Sequence, residues 1–303
     1  GAEAINLSHF IGALYGMEHI MGKAQNPLRD ILNYASLHFL PKNKLPLWYI
    51  LTVMGTNPKD DHSLEMKGFY IGNDIQCYLA ACELSFQTNF TILDEPLQTV
   101  VVHLDSDEYH STWLGNKAIY RTRMAIADGG HLIILAPGVK KFGEDEQVDY
   151  LIRKYGYKGT PAIMKAMKDN DDLKQNTSAV AHLIHGSTEG RFQVTYCSPL
   201  LTKEEVESVG FQYGNLEEMQ QTYSYLKDGW NNNSLSGEKV YYISKPALGL
   251  WAVRSRLDKE DGGETDTHKT ATSDEILCPT DILLQDSSDG SGGVGGWIKS
   301  PPC

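Results

Sequence analysis

The sequence lacks the short motifs that mark several large enzyme classes. It contains no glycine-rich phosphate-binding loop, no G-x-S-x-G nucleophile turn and no H-E-x-x-H zinc helix. Cysteine is scarce and odd in number, with five residues and no C-x-x-C pair. That usage favours a reduced, cytoplasmic protein without a cysteine-zinc site.

Long apolar runs are also missing. No stretch of 18 apolar residues occurs, and the first residues show no secretory signal pattern. We therefore expect no membrane partner.

Negative charge is unevenly distributed along the chain. Residues 258–303 contain ten acidic residues against three lysines, a net charge of −7 out of −12 for the whole chain. This segment is also rich in Gly and Ser and buries too little apolar surface to offset its ordering entropy, so we predict a disordered acidic tail. The rest is only mildly acidic, which argues against a nucleic-acid partner.

Alternating strand and helix patterns predict an α/β fold, with a mostly parallel or mixed sheet flanked by helices. The apolar runs 99–104 and 131–136 indicate two buried strands, and the stretch between them predicts a helix over residues 113–127 ended by Gly129-Gly130. A helical start, paired strands at 47–53 and 67–71, and a helix at 74–86 indicate a partial second α/β lobe at the N-terminus. Further elements are predicted as helices at 28–39, 147–155, 162–168, 177–184 and 216–228, a capping box at 202–205, and strands at 192–196 and 240–244.

The loop after the first buried strand carries the first group of candidate site residues, Trp113, Asn116 and Lys117. Ligands of open α/β sheets bind at this end of the strands. A cation at a helix start suits a carboxylate or a phosphate. The alternatives are a solvated helix lysine for Lys117 and a loop aromatic packed on the sheet for Trp113.

Histidines supply the remaining candidates. His182 and His185, followed by Arg191, form an H-x-x-H pair that resembles a metal motif, although hydrogen-bonded histidines closing a helix are the favoured interpretation. A zinc hydrolase built on this pair predicts stoichiometric zinc. His9, at a helix start, either binds a metal or caps the turn.

Taken together, these segments resemble the lactate racemase family that uses a nickel-pincer nucleotide, in an uncharacterised branch. The matching segments run in order over residues 5 to about 257: 8–18, 111–130, 135–139, 142–145, 151–157, 181–192 and 246–251.

The resemblance implies an isomerase, a racemase or epimerase acting on small hydroxycarboxylic acids such as lactate by hydride transfer to the nickel-pincer nucleotide. It implies that His9 ligates nickel, that Lys117 is the catalytic-site lysine holding the substrate carboxylate, and that Trp113 lies beside the substrate. The family's glutamine three residues before the lysine is Leu114 here, which leaves Asn116 as its candidate substitute.

The resemblance also implies a domain division. Residues 1–96 match the remnant of a cofactor-binding lobe, 97–257 match the C-terminal lobe that closes on the substrate, and 258–303 form the tail. The cofactor-tethering lysine and both acid/base histidines would precede Gly1, so we expect an enzyme fragment that lacks the cofactor and turnover when alone. The alternative is a non-catalytic small-molecule-binding or interaction domain with the same fold.

Overall fold

The computed structural model describes residues 6–40, 46–57, 59–233 and 237–257. The predicted acidic tail lies outside the described residues. The described chain forms two compact units: one takes in residues up to 35 together with residues 89 to 257, and the other takes in residues 36 to 88. This grouping differs from a single boundary between residues 96 and 97, and the assignment of the lobes to cofactor and substrate stays a prediction.

The strands are β1 (Tyr49–Asn57), β2 (Asp60–Gly72), β3 (Phe90–Leu93), β4 (Leu97–His103), β5 (Ile126–Leu135), β6 (Gln193–Cys197), β7 (Gln212–Tyr213), β8 (Gly229–Asn232), β9 (Lys239–Ile243) and β10 (Leu250–Val253). The helices are α1 (Ile11–Tyr15), α2 (Pro27–Phe39), α3 (Ile75–Asn89), α4 (Thr112–Gly115), α5 (Lys117–Tyr120), α6 (Glu146–Tyr155), α7 (Thr160–Asp169), α8 (Asp171–Lys174), α9 (Thr177–His185), α10 (Lys203–Ser208), α11 (Leu216–Thr222) and α12 (Arg254–Leu257). A π-helical turn (Asn6–Phe10) precedes α1, and a 3-10 turn (Met17–His19) follows it. No helix in the described part of the chain combines the length and apolar character needed to cross a membrane.

The first unit is built on a six-stranded sheet with the order β7-β6-β5-β4-β9-β8. Adjacent strands run parallel except β8, which is antiparallel to β9. The central strand β4 is buried on both faces, because Val100, Val101 and Val102 are all 0% exposed. The continuous apolar run is thus typical of a covered parallel strand. The predicted α/β fold with helices flanking a largely parallel sheet is confirmed.

The predicted helix over residues 113–127 is wrong in extent. Two short helices, α4 and α5, occupy its first half, and the chain then turns at Thr122 and enters β5 at Ile126. Strand pairing explains the difference: Ile126 pairs with Leu97, and Met124 forms a bridge with Ala252. These backbone pairings replace the helical hydrogen bonds that the apolar spacing alone favoured.

Residues 216–253 also contain more strands than predicted. The helix predicted over residues 216–228 ends at Thr222, and Tyr225 takes a positive φ of 62°, a left-handed conformation that does not continue a helix. Strand β8 follows and pairs with β9. The last strand, β10, pairs in parallel with β3 in a separate two-stranded sheet.

The second unit contains the antiparallel hairpin β1–β2 and helix α3. The predicted pairing is confirmed, with Leu51 opposite Tyr70 and Val53 opposite Gly68. One face of the hairpin is apolar and exposed: Ile50 is 68% exposed and Met66 is 57% exposed. This exposed apolar face lies within the part of the chain predicted to be a partial second lobe.

Gly143 marks a tight contact in the loop that leads into α6. A β-carbon there would lie 2.2 Å from the backbone nitrogen of Asp149, whose carboxylate accepts hydrogen bonds from the backbone N–H groups of Phe142 and Gly143. We predict that Gly143→Ala lowers the free energy of unfolding by about 1–3 kcal/mol through overpacking. Chemical denaturation measures the change.

Gly12→Ala is the matched control for this prediction. A β-carbon on Gly12, within α1, would meet its nearest neighbour at 3.4 Å, an ordinary contact, and alanine favours a helix. Gly12→Ala should therefore be close to neutral. Equal losses of stability in the two variants would contradict the close approach at Gly143.

Candidate functional site

The candidate site forms where the chain leaves β4 and β5 at their carboxyl ends. Ser111 caps α4, its hydroxyl accepting a hydrogen bond from the N–H of Leu114 at 3.4 Å. The backbone of the next two residues then bonds to the segment that follows β5: Thr112 N–H donates to Lys141 O at 3.1 Å, and Trp113 N–H donates to Phe142 O at 2.9 Å. The two loops are therefore joined, and the position of Trp113 is fixed.

A chain of buried hydrogen bonds runs beneath Trp113. The Thr112 hydroxyl donates to Phe142 O at 3.0 Å and lies 2.8 Å from the Tyr157 hydroxyl, which in turn lies 2.9 Å from His182 Nε2. The Thr112 hydroxyl has one proton, and it donates that proton to the carbonyl of Phe142. The Tyr157 hydroxyl therefore donates to Thr112 and accepts from His182. His182 therefore carries its proton on Nε2.

Trp113 stacks on the ring of His182, with centroids 4.3 Å apart and planes inclined by 29°. Burial lowers the pKa of His182 to about 3, and the neighbouring His185 adds to this effect. Burial also raises the pKa of Tyr157. The two groups thus stay neutral at physiological pH, and the geometry supports the hydrogen-bonded structural role that the sequence left open for His182.

Asn116 is fully buried, and neither atom of its side-chain amide has a partner within hydrogen-bond distance among the described residues; the amide does lie close enough to the Tyr157 hydroxyl to oppose the rise in that group's pKa. It is packed against Gly186, where a β-carbon would lie 2.5 Å from both Asn116 Nδ2 and Tyr157 Cε1. The nearby Tyr157 hydroxyl is already engaged by Thr112 and His182. A buried polar group without partners is costly and usually reflects an absent water or ligand, or a functional role.

Lys117 follows directly and begins α5. Its side chain is half-buried, and its Nζ atom lies 6.0 Å from the centroid of the Tyr109 ring. It forms no ion pair within the described part of the chain. Among the described residues, the ammonium therefore has no acidic partner to displace before it meets an anion.

His9 is exposed on the π-helical turn, and its Nδ1 lies 2.8 Å from the Ser8 hydroxyl. The adjacent Phe10 is buried and anchors the turn, which packs against α9. His9 lies close enough to His185, at the end of α9, for its charge to act there. Burial, together with the charges of Arg123 and His9, lowers the pKa of His185 to about 4.

The remaining histidine and arginine candidates have different surroundings. His185 Nε2 is buried without a hydrogen-bond partner in the described residues. Arg191 is held by Asp128 at 2.8 Å and by the carbonyls of Arg123 and Ile126, each at 3.1 Å. Its donors are thus used to fix the start of β5. No group of three or more His, Cys, Asp or Glu side chains in the described ranges could hold a metal ion, so the zinc-hydrolase hypothesis lacks a third ligand there.

Sequence reasoning missed Thr112 and Tyr157, which organise the site, and Arg123, which lies beside His185. Tyr157 is 45 residues from Thr112 and 25 from His182 along the chain. No local pattern brings these side chains together. The only available signal was their position in segments that follow predicted strands or end helices.

Comparison with known proteins is limited to structure. No protein-family model matches the chain, and no curated protein matches its sequence significantly. A structural-genomics protein of Thermotoga maritima has a TM-score of 0.63 and 23% identity, covering 81% of this chain and 58% of that one. The lactate racemase apoprotein of Thermoanaerobacterium thermosaccharolyticum has a TM-score of 0.51 and 13% identity, covering 78% of this chain and 54% of that one.

These TM-scores show a shared α/β fold. The chain spans little more than half the length of either structure. The likeness to a lactate racemase agrees with the resemblance in the sequence at the level of the fold, while the roles of individual residues stay predictions.

The buried imidazole of His182 predicts a pH-dependent stability. In the unfolded chain it takes up a proton near its ordinary pKa of 6.5, whereas in the folded protein it does so only near 3. The free energy of unfolding is therefore highest above pH 6.5. It decreases as the pH falls below that value, by up to roughly 1.4 kcal/mol per pH unit for this group. The free energy of unfolding, measured from about pH 7.5 to about pH 5.5, should fall less steeply in His182→Gln than in the unchanged protein.

His110→Gln is the matched control, because it removes an imidazole that is exposed in the folded protein. This variant should keep the steep dependence. A His182→Gln variant with the unchanged slope would contradict the burial of a neutral imidazole at residue 182.

Proposed function

We propose that the chain carries the substrate-holding part of an isomerase, a racemase or epimerase for small 2-hydroxycarboxylic acids. The observation that supports this most directly is the pairing of a buried, unpartnered amide with an ammonium free of ion pairs within the described residues. These groups, Asn116 and Lys117, follow β4 at the edge of the sheet where α/β proteins bind ligands. The fold shared with a lactate racemase apoprotein is the second support.

Lys117 would hold the substrate carboxylate through a charge-assisted hydrogen bond. Asn116 would supply an amide donor and acceptor in the place where the resembling family has a glutamine, although its complete burial requires a small shift of its neighbours on binding. Trp113, half-buried and stacked on His182, would cover the ligand and exclude water. The proposed chemistry needs this exclusion, because water competes with transfer of a hydrogen at carbon.

His9 would supply one nickel ligand. His9 offers one exposed imidazole donor, which fits a nickel ion whose other donors come from an organic cofactor. The Ser8 hydroxyl engages Nδ1, which leaves Nε2 as the metal-binding nitrogen and orients the ring. When bound, a nickel-pincer nucleotide supplies reversible acceptance of the substrate's α-hydrogen as hydride.

Substitution of Lys117 tests the proposal. Lys117→Ala should weaken binding of lactate at least about tenfold, roughly 1.4 kcal/mol, because the carboxylate loses its cationic partner. Lys140→Ala removes an exposed lysine next to the same region and should leave binding unchanged. Calorimetric titration of both lactate enantiomers measures the effect.

Racemisation of lactate, followed by chiral chromatography after nickel-pincer cofactor is supplied, tests the expected lack of turnover. Enantiomer interconversion that Lys117→Ala abolishes would support the isomerase and overturn the expectation that the chain is inactive alone. Lysine-dependent binding without interconversion is the outcome expected of the enzyme fragment, and the non-catalytic small-molecule-binding domain predicts it equally. Binding that is equal in Lys117→Ala and the unchanged chain would contradict both assignments of Lys117.

Substitution of Asn116 should change the free energy of unfolding and the affinity for lactate in opposite directions. Asn116→Leu replaces a buried amide that lacks partners by an apolar side chain of similar size, and should raise the free energy of unfolding by about 1–3 kcal/mol. The same change should weaken lactate binding. A strong loss of stability would instead show that the amide is hydrogen bonded in the folded protein.

A further inference from the structure

A cleft separate from Lys117 lies between the segment 13–18 and the end of α9. Its volume is about 230 Å³, and Arg123, His185 and Glu189 contribute polar groups to its lining. Pockets for drug-sized ligands are usually larger, about 300–1,000 Å³. The cleft therefore suits a ligand of only a few non-hydrogen atoms.

Arg123 is the dominant charge in this cleft. The residue is only 4% exposed, and its Nε makes no hydrogen bond to the described residues. The nearest carboxylate oxygen, Oε2 of Glu18, is 3.8 Å away, beyond hydrogen-bond distance. A buried guanidinium with an unused donor is unfavourable unless an anion completes its hydrogen bonds.

Other charges near Arg123 do not provide that partner. Asp128 pairs with Arg191 at 2.8 Å and with Arg256 at 3.1 Å, and both arginines also donate to the carbonyl of Arg123. Glu189 accepts hydrogen bonds from the N–H and hydroxyl of Thr160 and from the Ser187 hydroxyl. Glu189 is thus already satisfied by its own loop and helix.

His185 offers a second donor. Its Nε2 is buried and without a partner among the described residues, and a neutral imidazole can carry its proton on that nitrogen. Arg123 and His185 together present a cationic donor and a neutral donor to one small space. Glu18, whose side chain is 42% exposed, can move into solvent when a ligand enters.

We infer that this cleft binds a small monocarboxylate, whose oxygens accept hydrogen bonds from Arg123 Nε and His185 Nε2 in place of the distant Glu18. A dicarboxylate is disfavoured because Glu18 and Glu189 flank the same space. This site is independent of the carboxylate position proposed at Lys117, which does not line the cleft.

Acetate and acetamide are suitable probes, because they have nearly the same shape and differ in charge. At constant ionic strength, acetate should raise the melting temperature of the full chain in a saturable way, and acetamide should not. Glu18→Gln removes the competing carboxylate and should lower the acetate dissociation constant by about threefold or more. Glu217→Gln, which removes an exposed carboxylate elsewhere, should leave it unchanged.

Arg123→Met removes the cation and is compared in a Lys117→Ala background, where the carboxylate position proposed at Lys117 cannot contribute. There it should abolish the acetate effect that remains. Equal responses to acetate and acetamide, or an acetate affinity that Glu18→Gln leaves unchanged or weakens, would overturn the inference even if Arg123→Met does not fold. Acetate binding lost in Lys117→Ala alone would also overturn it and assign the carboxylate to Lys117. Failure of lactate racemisation bears only on the isomerase and leaves the acetate result standing.

Discussion

The hydroxyl of Tyr157 joins three separate segments of the candidate site. It donates to Thr112 in the loop after β4, accepts from His182 on α9, and belongs to the segment that follows α6. A buried hydroxyl has only one proton, so its two contacts fix the direction of every hydrogen bond between Phe142 and His182. Trp113 stacks on the ring of His182, and Asn116 lies beside the ring of Tyr157. The positions of both side chains therefore depend on these hydrogen bonds.

Local sequence patterns predicted two kinds of element: those stabilised by hydrogen bonds between near neighbours in sequence, and strands buried on both faces. The capping box at Thr202 and Glu205 is present with both of its hydrogen bonds, and the apolar run of β4 is a fully covered strand. The helix predicted through Met124 failed because that residue pairs with Ala252, far along the chain. Long-range pairing of this kind leaves no trace in the spacing of neighbouring residues.

The candidate site was predictable to a similar extent. Trp113, Asn116 and Lys117 became candidates because ligands bind at the ends of parallel strands, a rule that depends on topology rather than on exact contacts. The same rule does not identify Arg123 or Tyr157, whose importance comes from burial and from partners distant in sequence. The resemblance in the sequence and the fold shared with a lactate racemase apoprotein agree at the level of the fold, and the roles of individual side chains stay predictions.

The two edges of the six-stranded sheet are short. Strand β7 contains two residues and β8 contains four, and on β8 the ring of Trp230 is covered by the ammonium of Lys239 at 3.8 Å. Unpaired strand edges are templates for adding strands from other molecules, and short edges guarded by lysine resist this. The sheet can therefore keep a strongly apolar interior, because its short edges resist pairing with strands of other molecules and so disfavour fibril growth.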